Sequence, residues 1–357
     1  MQPSGPRHDP ALDGLRGLAV LIVLLSHGAN VGLPVLPGFS LSGIGKSGVY
    51  LFFVLSAFLL TRLLLGLPRA RWREAGTWID YALRRVLRIW PLYLVVLFAS
   101  VAATTSGALP WWPYAIDGAS LLRHLALQEG VSVLWSIPVE FKYYVWLPAV
   151  AALLAVADRL GGVWLAALAA AALSAGALAV WPPAESLVND VRLGPYLMLF
   201  FAGALAAVVS LRVGEAAAAP GRIATAAGAA AALALLASVP SSVAALGLAA
   251  FEPALNHRWF AFFAVAWSAL LLAVLHGARW LQRPFEMRPM RWLGWISFSA
   301  YLWHMPVLAA VLGPLGLSGA AALAAFAAGT VVVSWVSWRL VERPLQRVRW
   351  RDGRLAR

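Results

Sequence analysis

Residues 48–65 read GVYLFFVLSAFLLTRLLL, an apolar run whose single charge, Arg62, lies near its end. As a helix this run is about 27 Å long, close to the thickness of a bilayer's hydrocarbon core. Ten apolar runs of this kind predict ten transmembrane helices, at residues 13–31, 47–66, 88–107, 137–157, 161–180, 194–212, 222–239, 258–277, 295–312 and 319–340. The sequence therefore predicts an all-α fold, a polytopic helical bundle integral to the membrane.

Composition points the same way. The chain has 357 residues, of which 62% are hydrophobic and 12% charged, whereas a soluble domain carries roughly twice that charged fraction. There is no cysteine, which excludes disulfides, thiolate metal sites and a cysteine acyl-enzyme. Because the loops are short, we predict a single membrane domain over residues 1–357, with a basic tail at 343–357 and no soluble domain. We predict no metal site.

The distribution of cations predicts the orientation. With the N-terminus in the cytoplasm, 22 of the 28 Lys and Arg residues fall on the cytoplasmic side, among them Arg7 and the tail arginines. Only Lys46, Arg123, Arg192 and Arg258 fall in outer loops. This is the positive-inside pattern, so both termini are predicted to be cytoplasmic. The net charge of +13 then reflects orientation and lipid headgroups, and nucleic acid is not a predicted partner.

The first span, DGLRGLAVLIVLLSHG at 13–28, contains ionisable residues that are costly in a membrane. Arg16 and His27 are eleven residues apart, which puts them on one helix face, roughly 16 Å apart along the axis. Asp13 falls on the same stripe and can pair with Arg16. Imidazole can take a proton from a sugar hydroxyl at near-neutral pH, and arginine can hold the phosphates of a thioester donor. The structural alternative is a packing histidine and an arginine that reaches the headgroups.

A second group lies in LWSIPVEFKYY, residues 134–144. Glu140 is predicted at the outer end of the fourth span, where it would orient the His27 imidazole or bind acceptor hydroxyls. Supporting residues for a sugar ring would be Trp135, Ser136, Tyr143 and Tyr144. The alternative is an interfacial aromatic belt in which Glu140 pairs with Lys142.

A third group lies in RRVLRIWPLY, residues 84–93, at the predicted cytoplasmic start of the third span. Arg84, Arg85 and Arg88 form a cationic cluster in which Arg85 and Arg88 are one turn apart. Guanidinium groups suit the phosphate oxygens of a donor, although the topology alone would also supply arginines here.

Two further residues lie near the end of the chain. His304, in ISFSAYLWHMP at 296–306, is predicted inside the ninth span, and structural and catalytic roles both stay open. Glu342, in SWRLVERP at 337–344, is flanked by Arg339 and Arg343, which favours a local salt bridge.

These segments, in this order, resemble the bacterial membrane acyltransferase family three, the O-antigen and peptidoglycan O-acetyltransferase type. The opening segment is similar in its arginine and histidine, here Arg16 and His27. GVYLFFVLSAFLLTRLL resembles the second-span motif, with Ala57 where glycine is usual, and RRVLRIWPLY resembles the family's arginine pair. LWSIPVEFKYYVWLP resembles a segment that commonly has two adjacent acids, where Glu140 here stands alone. ISFSAYLWHMPV and SWRLVERPL resemble the two closing motifs.

The resemblance implies ten spans in a bacterial inner membrane and transfer of an acyl group, usually acetyl from acetyl-CoA, to a glycan hydroxyl. It implies His27 as the catalytic base and Arg16, Arg85 and Arg88 as donor-binding residues. The expected partners are acyl-CoA, a carbohydrate acceptor and membrane lipids, with no permanently bound cofactor. Some relatives carry an extra esterase-like domain, which we do not expect here. The alternatives are a transporter or flippase, in which buried Arg, His and Glu serve substrate or protons, and a non-catalytic scaffold.

Overall fold

The computed structural model describes residues 9–33, 35, 38–216, 221–247, 257–351 and 354–356. Arg7 and Arg357, whose charges enter the predicted orientation, lie outside the described residues.

The described chain is mainly helical. Its α-helices are α1 (Pro10–Asn30), α2 (Gly45–Leu65), α3 (Ala75–Ser106), α4 (Gly118–Leu125), α5 (Ser136–Val180), α6 (Leu197–Ala216), α7 (Arg222–Ala237), α8 (Pro240–Ala245), α9 (Phe260–His276), α10 (Arg279–Glu286), α11 (Arg288–Trp295), α12 (Ser297–Leu312), α13 (Gly319–Ser337) and α14 (Arg343–Leu345). Short 3-10 turns occur at Arg69–Arg73, Ser132–Trp135, Pro183–Glu185 and Gly194–Tyr196, and a π-helical turn at Trp338–Glu342. Two short strands, β1 (Arg349–Arg351) and β2 (Arg354–Ala356), form an antiparallel hairpin.

Six helical segments of the described chain are long and apolar enough to cross a membrane. Two bent pairs, α9 with α10 and α11 with α12, raise that number to eight. The all-α membrane architecture is therefore confirmed, and each of the ten predicted spans falls on a helix. However, α5 contains two predicted spans in one run of 45 residues, and α7 has only 16 residues. The count of ten and the cytoplasmic termini stay predictions.

The start of the third helix differs from its prediction. α3 begins at Ala75, whereas the apolar run predicts a start at residue 88. The thirteen additional residues lengthen the helix by about 20 Å. Arg85 and Arg88 therefore lie three turns inside α3 rather than at its beginning.

The described chain forms two units, Met1–Gly66 with Val145–Trp295 and Leu67–Tyr144 with Ile296–Arg357. The first unit contains α1, α2, most of α5 and α6 to α11. The second contains α3, α4, the first residues of α5, α12 to α14 and the hairpin. The single membrane domain over residues 1–357 stays a prediction.

In the first unit, glycines let α1 approach its neighbours at backbone distance. A Cβ added to Gly14 would lie 2.0 Å from the Phe285 carbonyl oxygen, and one on Gly294 would lie 1.9 Å from that of Asp13. Only glycine fits such an approach, because both obstacles are backbone atoms that cannot rotate away. α1 is thereby fixed against α10 and α11, and its polar residues are fixed with it.

α5 and α6 pack through small residues, as the alanine-rich sequence predicts. Their core cluster contains Leu154, Ala157, Ala166, Ala170, Ala204 and Val208. α5 breaks at Gly161 and Gly162, and Gly162 has a φ of 67°, a conformation that favours glycine. An ion pair of 2.9 Å between Arg212 and Asp158 closes this end of the pair.

We expect Gly14→Ala to destabilise the first unit. The added methyl group meets the Phe285 backbone, and overpacking of this kind costs about 1–3 kcal/mol, here at the upper end because the backbone of two helices must move. The matched control is Gly176→Ala on α5, where an added Cβ meets no atom within 4 Å. A lower midpoint of thermal unfolding for Gly14→Ala alone is the expected result, and equal midpoints for the two variants would contradict it.

In the second unit, tyrosine and tryptophan side chains join the segment after α3 to α3 and α12. The Tyr114 hydroxyl donates to the Leu302 carbonyl at 2.9 Å, and Trp112 Nε1 donates to Ser100 Oγ at 3.0 Å. The hairpin pairs Trp350 with Leu355. It lies in the basic tail, for which the sequence analysis predicts only contacts with lipid headgroups.

Candidate active site

α1 carries the first group of candidate residues. The Asp9 side chain caps it by accepting from Ala11 N at 2.9 Å, and Pro10 occupies the first helical position. The helix continues unbroken through Arg16 and His27, so both lie on one face, as predicted. Val20 and Val23 lie on the same stripe and are fully buried, which shows that this face packs against protein rather than lipid.

His27 is half-buried, and its Nδ1 lies 2.9 Å from the Val23 carbonyl oxygen. A carbonyl can only accept, so Nδ1 carries the proton and Nε2 of the neutral ring is the basic nitrogen. Ser26 Oγ accepts from Gly45 N at 2.9 Å, which fixes the start of α2 beside the histidine. A Cβ on Gly45 would lie 3.6 Å from His27 Cε1. Ser26 and Gly45 flank the ring, and neither is among the site residues predicted from the sequence.

Asp13 is buried and accepts a hydrogen bond of 2.8 Å from Trp295 Nε1. The tryptophan is 282 residues away in sequence, and no local pattern points to it. Asp13 therefore links α1 to the end of α11, while its pairing with Arg16 stays a prediction.

A cavity of about 430 Å³ in the first unit is not part of this group. On α1 it is lined by Leu18, Ile22 and Leu25, and its other walls are also mainly apolar. At about 100° per residue, these three leucine and isoleucine side chains lie on the side of α1 opposite to Arg16 and His27. The polar stripe and the apolar cavity are separate features of one helix.

The second unit contains the arginines and the glutamate. The Arg85 guanidinium lies over the Tyr144 ring, 5.7 Å from its centroid, within cation–π range. Tyr144 in turn donates its hydroxyl to Glu140 Oε1 at 2.6 Å, across one turn of α5. Tyr81 of α3 donates its hydroxyl to the Tyr144 carbonyl at 2.8 Å. Glu140, Tyr144 and Arg85 are thus neighbours, joined side chain to side chain.

This arrangement corrects the positions predicted for Glu140 and the arginine pair. The sequence analysis assigns Glu140 to the outer end of its span and Arg85 to the cytoplasmic start of another. In the structure, Tyr144 joins the two, and Phe141 packs on Trp90 with ring centroids 5.7 Å apart. The physical reason is the length of α3, which places its arginines three turns inside the helix, level with the first turns of α5.

A tyrosine from α12 positions the start of α5. Tyr301 donates its hydroxyl to the Val133 carbonyl at 2.5 Å and accepts from Ser136 Oγ at 2.9 Å. Trp135 and Tyr143 are buried nearby in sequence. The predicted sugar-stacking residues are therefore mainly interior side chains of the second unit, with Glu140 half-buried.

Polar contacts also order the loop before α5. Glu129 accepts from Arg123 at 2.6 Å and from Ser120 at 2.8 Å. Partial burial opposes ionisation, but these hydrogen bonds outweigh it and hold the pKa of the Glu129 carboxyl below its usual range. His124 is fully buried and accepts from Val131 N at 3.1 Å. These contacts give the loop a defined conformation up to Ser136, where α5 begins.

His304 and Glu342 lie inside the second unit. His304 is fully buried, and its Nδ1 donates to the Tyr301 carbonyl at 2.7 Å. Its structural and catalytic roles both stay open. Glu342 is buried and accepts from Ser299 and, at 3.3 Å, from Gln346. These contacts join α12 to the π-helical turn, a partner that local charge spacing did not predict. Among the described residues, no group of three His, Asp or Glu side chains could hold a metal ion.

A family described as an acyltransferase domain matches residues 9–339 of the chain, which include the candidate residues from Asp13 to His304. The chain belongs to this acyltransferase family, and the predicted enzyme class is confirmed. With its apolar helices, it is a multi-pass membrane protein.

Curated relatives agree. The chain is 23% identical to the peptidoglycan O-acetyltransferase OatA of Listeria monocytogenes, over 96% of this chain and 56% of the relative. It is 25% identical to the putative peptidoglycan O-acetyltransferase YrhL of Bacillus subtilis, over 85% of this chain and 49% of the relative. The chain thus spans about half the length of these relatives. No solved structure matches it.

Proposed function

We propose that the protein is a membrane O-acetyltransferase that moves an acetyl group from cytoplasmic acetyl-CoA to a hydroxyl of a cell-surface or periplasmic glycan. Support comes from the family, from relatives named as peptidoglycan O-acetyltransferases, and from the chemistry of the two residue groups. We place the protein in a bacterial inner membrane because of its family, with ten spans because of its ten apolar runs and with both termini in the cytoplasm because of its cation distribution.

The observation that carries the proposal is the state of His27. Its Nδ1–H is committed to the Val23 carbonyl, so the basic nitrogen is Nε2, on a helix face that packs against protein. A positioned base of this kind typically contributes 10²- to 10⁴-fold to a rate. Arg16 lies three turns away on the same face, where its positive charge suits an anionic donor.

The reaction balances with these groups. His27 Nε2 takes the proton of the acceptor hydroxyl while its oxygen attacks the thioester carbonyl carbon. The new C–O bond forms, the C–S bond breaks, and the CoA thiolate leaves. The imidazolium then returns its proton to the sulfur, so that CoA leaves as the thiol and His27 is neutral again.

The second unit would bind the donor and support the acceptor. Arg85 and Arg88 would hold donor phosphates, and Glu140 would bind acceptor hydroxyls. Tyr144 couples these roles, since it hydrogen-bonds Glu140 and stacks beneath Arg85.

The test is an assay of purified protein in nanodiscs with acetyl-labelled acetyl-CoA and a soluble peptidoglycan fragment. We expect the label in an alkali-labile ester of the fragment and free CoA thiol in equal amount. Membranes without the protein serve as the control. Folded protein that releases no thiol and forms no ester with either peptidoglycan or other surface glycans would contradict the proposal.

A further inference from the structure

The C-terminal hairpin docks on the first turns of α3, within the second unit. Trp350 N donates to Asp80 Oδ1 at 3.0 Å. The Trp350 ring lies beside Gly76, where an added Cβ would be 3.9 Å from its Cδ1 atom. The hairpin of the basic tail therefore has a defined position on α3, and the tail is more than a charged segment that contacts lipid headgroups.

Docking brings a further cation to the arginines of α3. Arg349 precedes Trp350, and its charge interacts with that of Arg84. Arg84 interacts electrostatically with Arg85, and Arg85 with Arg88. We call these four residues the arginine track: Arg84, Arg85 and Arg88 lie on α3, and Arg349 lies on the hairpin that is anchored at Asp80.

Among the described residues, two carboxylates are joined by contacts to the arginine track. Asp80 pairs with Arg84 at 3.0 Å, and Glu140 lies one hydrogen bond away through Tyr144. Four positive and two negative charges leave an excess of two. Like charges held this close repel one another, so the arrangement favours an anionic ligand.

Two arginines of the track have N–H donors that bond no described residue of the protein. Arg85 Nε is buried and has no hydrogen-bond partner among the described residues. Arg349 is held by Nη1, which donates to the Gln346 carbonyl at 2.9 Å and the Val348 carbonyl at 3.3 Å. Its other N–H groups bond no described residue, so a fixed guanidinium presents open donors beside Arg84. A buried donor without a partner, such as Arg85 Nε, is costly unless a ligand supplies one.

Resting on the proposed function, we propose that the hairpin completes the donor site and that Arg349 binds the 3′-phosphate of acyl-CoA. The order along the track supports this assignment. Trp90, two residues after Arg88, packs on Phe141, the neighbour of Glu140, whereas Arg84 pairs with Asp80, where the hairpin is anchored. Acyl-CoA is an elongated ligand whose 3′-phosphate and thioester are at opposite ends, so its diphosphate falls at Arg85 and Arg88. Its 3′-phosphate then reaches the hairpin.

The experiment compares acetyl-CoA with acetyl-3′-dephospho-CoA for wild type, Arg349→Gln and Arg347→Gln. Arg347 is the matched control, since it is an exposed arginine of the same tail. We expect Arg349→Gln to raise the KM for acetyl-CoA about tenfold, to the wild-type value for the dephospho donor. The KM for the dephospho donor should change by less than about twofold, because the missing phosphate leaves Arg349 nothing to bind.

Three results would overturn the inference: an unchanged KM in Arg349→Gln, an equal rise for both donors, or the same effect in Arg347→Gln. Equilibrium binding of CoA and 3′-dephospho-CoA to the same variants separates the two proposals. If wild type transfers acetyl but Arg349→Gln still binds CoA more tightly than 3′-dephospho-CoA, the role of the hairpin is contradicted and the proposed function is retained. Wild type that binds neither ligand and releases no thiol would remove the proposed function and the inference with it.

Discussion

His27→Gln is expected to lower the rate of acetyl transfer about 10³-fold. Glutamine keeps a polar group of similar reach but cannot take a proton from the acceptor hydroxyl at neutral pH, so the base contribution is lost. The loss should appear in kcat, because the histidine acts on the hydroxyl while it reacts and not on the phosphates of the donor. Initial rates of ester formation at saturating acetyl-CoA measure it.

The control for this variant is His276→Gln. His276 ends α9 in the same unit and hydrogen-bonds Ser210 Oγ at 2.8 Å, outside the candidate site. The variant His276→Gln removes an imidazole from the same unit and leaves the proposed catalytic residues unchanged. Transfer by folded His27→Gln within about twofold of wild type would show that another group is the base.

Arg85→Gln should have the second largest effect, a rise of about 10- to 100-fold in the KM for acetyl-CoA. A charge-assisted hydrogen bond to phosphate contributes roughly 1.5–3 kcal/mol, and the buried Nε of Arg85 has no competing partner among the described residues. Arg85→Lys should recover only part of the affinity, since lysine lacks the planar fork that binds two phosphate oxygens. Equilibrium binding of CoA gives the same comparison without turnover.

Arg69→Gln is the matched control for Arg85. It removes one positive charge from the same unit at an exposed position of the turn Arg69–Arg73. A purely long-range effect of net charge would weaken donor binding equally in both variants. That outcome, or wild-type affinity in Arg85→Gln, would remove Arg85 from the donor site.

Local periodicity accounts for what the sequence predicted well. The apolar runs identify the helices because a span needs about 20 apolar residues. The shared face of Arg16 and His27 follows from helix geometry alone. Both features depend on residues within a single helix.

The missed features depend on distant or polar residues. The first turns of α3 contain Thr77, Asp80 and Arg84, so hydropathy starts the predicted span at residue 88, thirteen residues after the helix begins. The contacts of Trp295 with Asp13 and of Tyr301 with Ser136 join residues 282 and 165 positions apart, which one sequence cannot reveal. The sequence did not predict the docking of the hairpin on α3, because its arginines were interpreted as an orientation signal. Its anchor is the backbone N–H of Trp350, which donates to Asp80 and which no side-chain pattern indicates.

A single-turnover reaction tests the central claim most directly. Wild type and His27→Gln are each loaded with one equivalent of acetyl-labelled acetyl-CoA, and the glycan fragment is then added. We predict that both bind the donor, that wild type releases one thiol for each ester formed, and that His27→Gln retains the thioester. Ester formation by His27→Gln at the wild-type rate, or ester without released thiol in wild type, would contradict base catalysis by His27.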